Sequence, residues 1–177
     1  METQGRVGRI QVYTGEGKGK TTAGVGQCVR AVGAGLRVLF VQFVKGGRRS
    51  SELDVMEGAG IAVVRPAHAW TGLLGAGPTE DDYRAVGEAW EVAAAAIASG
   101  DYDVVALDEI NVALAHGLLE LPPVLDALRS RLVHVEVVMT GRGAPAGLVE
   151  IADLVTEMVP CKHYYDAGVS ARIGIEF

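Results

Sequence analysis

One short string constrains the fold of this chain more than any other feature. Residues 14–22 read TGEGKGKTT and lie between a β-branched run and a stretch with helical periodicity. The three glycines can adopt positive φ, which lets successive backbone N–H groups converge on an anion. The start of the following helix adds about half a positive charge at the same point. The string therefore predicts a phosphate-binding loop at a strand-to-helix junction.

The residues after the glycines have the chemistry that this loop needs. Lys20 would bring a point charge to the phosphates, and the Thr21 hydroxyl would ligate Mg²⁺. Thr14 stands where the strict P-loop motif has its first glycine, so the match fails at one position. An ordinary glycine-rich turn is the alternative, although turn chemistry alone does not account for two lysines and two threonines.

Strand-like and helix-like segments alternate along the whole chain. Apolar runs at 9–13, 38–43, 61–64, 104–107 and 133–139 predict strands, and 171–176 predicts a last edge strand. Apolar stripes predict the buried faces of three helices: Val25, Val29, Val32 and Leu36; Val86, Trp90, Ala93 and Ile97; and Leu121, Leu125, Leu128 and Leu132. Thr79 is predicted to cap the second helix, and Pro122 to open the third. The pattern is typical of an α/β domain, a mostly parallel sheet with helices on both faces.

Two further motifs follow predicted strands and should reach the same edge of the sheet. Asp108 and Glu109 end the 104–107 strand, and a carboxylate there would complete a Mg²⁺ site with Thr21. Arg142, between two glycines after the 133–139 strand, is placed to approach a phosphate. Taken alone, the acidic pair reads equally well as a strand-ending turn, and Arg142 as a solvated turn residue.

Length and composition exclude several classes of protein. A chain of 177 residues is close to one domain, and we expect a single domain over 1–177. The net charge of −6 argues against nucleic acid, and the longest apolar run, 92–98, is far too short for a membrane helix. With no secretory signal and two cysteines only, a reducing cytoplasm is expected. From the residues alone, the chain is predicted to bind a nucleoside triphosphate.

Five blocks, in order, resemble the ATP:corrinoid adenosyltransferases of the CobA, CobO and BtuR type. They are TGEGKGKTT at 14–22, VQFVKG at 41–46, LDEIN at 107–111, TGRGAP at 140–145, and a C-terminal block with KH at 162–163, DAG at 166–168 and GIEF at 174–177. The blocks cover the chain nearly end to end, and threonine at position 14 is typical of that family. The resemblance implies a P-loop NTPase-like fold related to RecA.

The resemblance also implies a reaction. The family transfers the 5′-deoxyadenosyl group of ATP to a reduced Co(I) corrinoid and releases triphosphate, so the nucleophile is cobalt rather than a side chain. Lys20 would stabilise the leaving group, and Thr21 with Glu109 would hold Mg²⁺ or Mn²⁺. The residues expected to contact ATP are Gly15, Glu16, Gly17, Lys18, Gly19, Lys20, Thr21, Thr22, Arg30 and Arg142. A homodimer and a reductase partner are also expected.

The corrinoid side departs from the family pattern of Gly-Phe-Thr-Trp. Here residues 67–70 read AHAW, so Trp70 keeps its place, His68 replaces the phenylalanine, and the glycine-rich loop that follows is longer. His68 and Trp70 are expected to contact the corrinoid, although Trp70 could instead cover the core. Only eight residues precede the first predicted strand, so we expect another segment or a second subunit to close the site. The alternative function is a P-loop ATPase or an ATP-sensing regulatory module.

Overall fold

The computed structural model describes residues 5–44, 50–66 and 77–176, and in these ranges the chain forms an α/β fold. The strands are β1 (Ile10–Thr14), β2 (Val38–Gln42), β3 (Ala62–Val64), β4 (Val104–Asp108), β5 (Glu136–Thr140) and β6 (Leu154–Glu157). The helices are α1 (Lys20–Gly33), α2 (Glu52–Gly58), α3 (Glu80–Ser99), α4 (Ile110–Ala115), α5 (Leu121–Ser130) and α6 (Ala146–Ile151), followed by a 3₁₀ turn at Tyr164–Ala167.

All six strands pair in parallel, in the order β3-β2-β4-β5-β1-β6. The four inner strands, β1, β2, β4 and β5, are predominantly apolar, as expected for strands that helices cover on both faces. Side chains alternate between two cores: α1 and α2 cover one face, around Phe40 and Met56, while α3 to α6 cover the other. The P-loop NTPase-like architecture expected from the sequence is confirmed.

Helix α3 shows how closely local sequence can specify an element. The Thr79 side chain accepts a hydrogen bond from the Asp82 backbone, and the Asp82 carboxylate accepts one from the Thr79 backbone, which completes a capping box. Gly100 ends the helix in the left-handed conformation at φ 71°. The predicted cap is confirmed, as is the opening of α5 by prolines in its first turn. Across the described residues, every helix is too short or too polar to cross a membrane.

Two of the three helix faces predicted to be buried are partly wrong, those of α1 and α5. Val29 is 48% exposed, because the buried face of α1 runs through Gly24, Cys28 and Ala31, one residue before the corresponding positions of the predicted stripe. Leu132 is 43% exposed because α5 ends at Ser130, before the stripe is complete. The α3 stripe is confirmed, with Trp90 partly buried against the same core.

The end of the sheet also differs from the prediction. Residues 171–176 do not form a strand; they turn around Gly174 at φ 75°, and Arg172 pairs with Glu176 within the turn. The place beside β1 is taken by β6, whose residues are all exposed and therefore lack the buried apolar run that marks the other strands. An edge strand of four residues is a weak sequence signal for this reason.

Candidate functional site

The phosphate loop, residues 15–19, connects β1 to α1 and is shaped by its glycines. Gly15 and Gly19 have φ of 93° and 121°, values that side-chain-bearing residues rarely adopt. A Cβ on Gly17 would lie 2.7 Å from the Met158 carbonyl oxygen, to which the Gly17 N–H already donates a hydrogen bond of 2.6 Å. The loop is thus held against the end of β6, and glycine is required both for conformation and for space.

The loop closes around the ammonium group of Lys20. Its Nζ donates hydrogen bonds of 2.6 Å to the carbonyl oxygens of Gly15 and Gly17, and the side chain is largely buried. Lys20 is also the first residue of α1, whose first turn contains no acidic side chain. A buried positive charge and the positive end of a helix dipole therefore coincide, which favours the binding of a phosphate.

A cleft of about 520 Å³ opens in front of the loop. It brings together most of the residues predicted from the sequence and adds others. Its lining consists of Gly17, Lys18, Gly19, Lys20, Thr21, Thr22, Val25, Ser51, Glu52, Glu109, Arg142, His163, Gly174, Ile175 and Glu176. The cleft lies at the carboxyl ends of the strands, where open α/β sheets bind their ligands.

Glu109 reaches the cleft through an unusual backbone conformation. It is the N-cap of α4 at φ 63°, the left-handed region, which costs a non-glycine residue about 1–2 kcal/mol. The Glu109 N–H donates to the Thr140 hydroxyl at 3.0 Å. Its neighbour Asp108 is fully buried, so of the acidic pair that ends β4 it is Glu109 that lines the cleft.

Arg142 faces the phosphate loop from the end of β5. Its Nε lies 2.9 Å from Glu16 Oε2, and both side chains are exposed. The flanking Gly141 and Gly143 have φ of 130° and 69°. An exposed ion pair of this kind contributes little stability, about 0–1 kcal/mol. Glu16 therefore holds the guanidinium of Arg142 only weakly.

Residues 163–176, here called the C-terminal wall, form the side of the cleft that sequence reasoning missed. Lys18 Nζ donates to Glu176 Oε1 at 2.7 Å, to the Tyr164 hydroxyl at 2.8 Å and to the Ile175 carbonyl at 2.9 Å. Hydrogen bonds from Arg172, Lys18 and Tyr164 hold the pKa of Glu176 far below its usual range. The family-like C-terminal block, which includes His163, Gly174 and Glu176, could have pointed to this side of the cleft.

Other predicted residues lie elsewhere. Arg30 is exposed in the last turn of α1 and is not among the described residues that line the cleft. It lies close enough to Tyr13 to oppose a rise in the pKa of that phenol, which burial causes. Cys28 is buried, which raises the pKa of its thiol to about 12 and leaves it protonated and unreactive. His68 and Trp70 lie outside the described residues.

The donors in the cleft fit a small, hard cation. Thr21 supplies a hydroxyl and Glu109 a carboxylate, and Mg²⁺ commonly takes only one or two protein ligands while keeping its waters. Within the described residues, no group of three histidine, cysteine or acidic side chains is arranged to hold a metal. Hydroxyl and carboxylate oxygens beside a phosphate loop are the kind of ligands that Mg²⁺ prefers, rather than the nitrogen and sulfur ligands typical of Zn²⁺.

Comparison with known proteins identifies the family. Residues 6–177 match the model of the ATP:corrinoid adenosyltransferase family BtuR/CobO/CobP. A corrinoid adenosyltransferase of Pseudomonas aeruginosa is 40% identical over 177 residues, which cover 96% of this chain and 84% of that protein. The corrinoid adenosyltransferase of Escherichia coli K12 is 39% identical over 178 residues, with 99% and 89% covered. One from Salmonella typhimurium is 38% identical over 178 residues, again with 99% and 89% covered. The phosphate loop, the cleft and these matches together establish that the chain belongs to the ATP:corrinoid adenosyltransferase family.

Proposed function

We propose that the chain transfers the 5′-deoxyadenosyl group of ATP to the Co(I) centre of a reduced corrinoid, in the synthesis or salvage of adenosylcobalamin. The observation that carries this proposal is the Lys20 ammonium at the focus of the phosphate loop, inside the cleft shared by Glu109 and Arg142. That arrangement suits a reaction in which the whole triphosphate departs. It supplies positive charge where negative charge develops on the leaving triphosphate. The acceptor is taken to be a corrinoid because the family that matches is one of ATP:corrinoid adenosyltransferases.

The reaction needs no side chain as nucleophile. Cobalt(I) supplies both electrons of the new cobalt–carbon bond at C5′ and becomes formally cobalt(III). The C5′–oxygen bond breaks, and its electron pair leaves with the triphosphate. The protein therefore acts by orientation and by electrostatic stabilisation of the leaving oxygen.

The cations around the loop already have partners, which the triphosphate would replace. Lys20 would exchange the carbonyl oxygens of Gly15 and Gly17 for phosphate oxygens, and Arg142 would exchange Glu16. The first exchange gives the Lys20 ammonium charged acceptors in place of neutral ones. The second moves Arg142 from an exposed carboxylate to phosphate oxygens, which a guanidinium can bind with two parallel hydrogen bonds. The loop is thus organised before ATP arrives.

Thr21 and Glu109 would hold Mg²⁺ or Mn²⁺ in this site, where the ion would neutralise charge on the phosphate oxygens. Lys18, which lines the cleft and is expected to contact ATP, would also keep the C-terminal wall in place beside the nucleotide, because its three acceptors all belong to residues 164–176. The role of Arg30 as a further nucleotide contact stays a prediction.

The function is tested by incubating the protein with ATP, Mg²⁺ and chemically reduced cobalamin. We expect the visible spectrum to change to that of an alkyl-cobalt product, with one triphosphate released for each corrinoid adenosylated. Release of phosphate alone, with an unchanged corrinoid spectrum, would refute the transferase and support the ATPase alternative. A reaction without ATP serves as the control for spontaneous oxidation of the cobalt.

Trp70 is proposed to contact the corrinoid, with His68 beside it. Because both precede α3 and neither belongs to the phosphate loop, Trp70→Ala should leave ATP binding within about threefold of wild type while impairing adenosylation. Calorimetry for ATP and the spectral assay for transfer separate the two effects. Equal loss of both would mean that Trp70 is part of the core.

We also propose that the protein is one domain, forms a homodimer, works in the cytoplasm and receives electrons through a reductase. The Co(I) substrate requires an electron donor. The two free cysteines, one of them exposed, suit a reducing compartment. The edge strand β6, with Leu154 and Val155 more than two-fifths exposed, offers a surface for a second copy.

A further inference from the structure

A chain of buried polar side chains crosses the sheet at the carboxyl ends of three neighbouring strands. Gln42, at the end of β2, donates through Nε2 to Asp108 Oδ2 at 3.2 Å, and Thr140, at the end of β5, donates through its hydroxyl to Asp108 Oδ1 at 2.7 Å. All three residues are at most 1% exposed. Buried polar groups of this kind cost stability unless they are satisfied, so a purely structural sheet would favour apolar side chains here.

The chain ends on the backbone of a cleft residue. The Thr140 hydroxyl has one proton, which it gives to Asp108, so its lone pairs are left to accept from the Glu109 N–H at 3.0 Å. Glu109 is the residue whose φ of 63° turns the backbone from β4 into α4. The hydrogen bond therefore fixes the backbone N–H of Glu109, and with it the position of the Cα from which the Glu109 side chain extends.

The methyl group of Thr140 is also held by a contact, in this case with α1. Its Cγ2 methyl lies 3.1 Å from where a Cβ on Gly24 would be, so the side chain packs closely against α1. The hydroxyl and the methyl share one carbon, so a single rotamer of Thr140 sets both the hydrogen bond from Glu109 and the packing on α1. Threonine thus makes two contacts at this position: its methyl packs against α1, and its hydroxyl bonds Asp108 at the end of β4.

We propose that Thr140 is a positioning residue that holds the Glu109 carboxylate in the cleft, with Asp108 and Gln42 anchoring its hydroxyl. The proposal deepens the function proposed above and rests on the assignment of Glu109 to the metal. It gives a role to Gln42 and Thr140, two residues of the family-like blocks for which no substrate contact is expected.

The test measures how much Mg²⁺ tightens ATP binding. Calorimetry gives the dissociation constant for ATP with EDTA and with excess Mg²⁺, and their ratio reports the metal contribution without any turnover. Thr140→Val keeps the shape but removes the hydroxyl, and we expect this ratio to fall about 10-fold or more, the usual effect of removing an outer partner of a metal ligand. Binding of metal-free ATP should stay within about threefold, and Thr140→Ser should restore the ratio.

Controls separate positioning from instability. Val138→Ala removes buried apolar volume from the same strand without touching the polar chain, so it should lower the melting temperature and leave the ratio unchanged. Gln42→Met weakens the far end of the chain and supplies a milder variant if Thr140→Val does not fold. It should lower the ratio less than Thr140→Val does.

The outcomes distinguish this proposal from the function on which it rests. If Glu109→Gln abolishes the Mg²⁺ effect while folded Thr140→Val and Gln42→Met retain it in full, the positioning role is refuted and the metal assignment stands. If Mg²⁺ does not tighten ATP binding to the wild-type protein, the metal assignment itself fails and this proposal fails with it. Loss of the effect in Thr140→Val, with rescue by Thr140→Ser, supports the proposal.

Discussion

Replacing Lys20 by alanine is expected to lower kcat for adenosyl transfer about 10²- to 10³-fold, the usual scale for removing one electrostatic donor from a developing negative charge. The ammonium is largely buried within the phosphate loop and lines the cleft. Because the charge on the leaving triphosphate grows as the C5′–oxygen bond breaks, the loss should fall on kcat more than on KM for ATP. Steady-state measurement of triphosphate release at saturating corrinoid provides both values.

Two controls accompany the Lys20 variant. Arg129→Ala removes one positive charge from an exposed ion pair on α5, away from the cleft, and should leave kcat unchanged. Thermal unfolding of Lys20→Ala shows whether loss of the hydrogen bonds to Gly15 and Gly17 destabilises the protein. A folded Lys20→Ala protein with a rate within about threefold of wild type would contradict the leaving-group role.

Glu109→Gln is expected to raise the Mg²⁺ concentration needed for half-maximal activity at least about tenfold. Removing even an outer partner of a metal ligand typically costs 10- to 100-fold, and this variant removes the charge of the ligand itself. The amide keeps the size of the side chain, so the left-handed backbone at φ 63° should be retained. A metal titration of the rate at saturating ATP measures the effect.

The matched control for this variant is Glu52→Gln. Glu52 lines the same cleft from α2 and has the same formal charge, so it tests whether any acidic group nearby would serve. We expect the Glu52 variant to shift the titration less than about threefold, because surface charges act weakly through solvent. Equal shifts in the two variants would show that general charge, not a ligand at Glu109, sets the metal dependence.

Much of the fold could be predicted because its signals are local. Strands covered on both faces must be nearly continuous in apolar residues, and β2 and β4 satisfy this. The cap at Thr79 depends on residues three positions apart, so it too is visible in the chain. The phosphate loop is the strongest case, since three closely spaced glycines before a lysine have few other uses.

The errors share a different cause. Val29 was expected to be buried because it follows the apolar period of α1, but packing on the sheet buries the adjacent face of Gly24, Cys28 and Ala31 instead. The edge strand β6 has no buried face, and the segment 171–176 lies against the cleft, where Lys18, 158 residues away in sequence, binds Glu176. Each depends on contacts between residues far apart in sequence.

The sequence by itself determined the chemistry of this protein: a phosphate loop, a carboxylate and an arginine at successive strand ends, and the family to which they point. Those features are carried by residue type and local spacing. Only the tertiary structure decided which carboxylate faces the cleft, where the C-terminal wall lies, and what holds Glu109 in place. The physical reason is that a hydrogen bond such as that from Glu109 to Thr140 joins residues 31 positions apart in sequence, and only the packed sheet brings such groups within 3.0 Å.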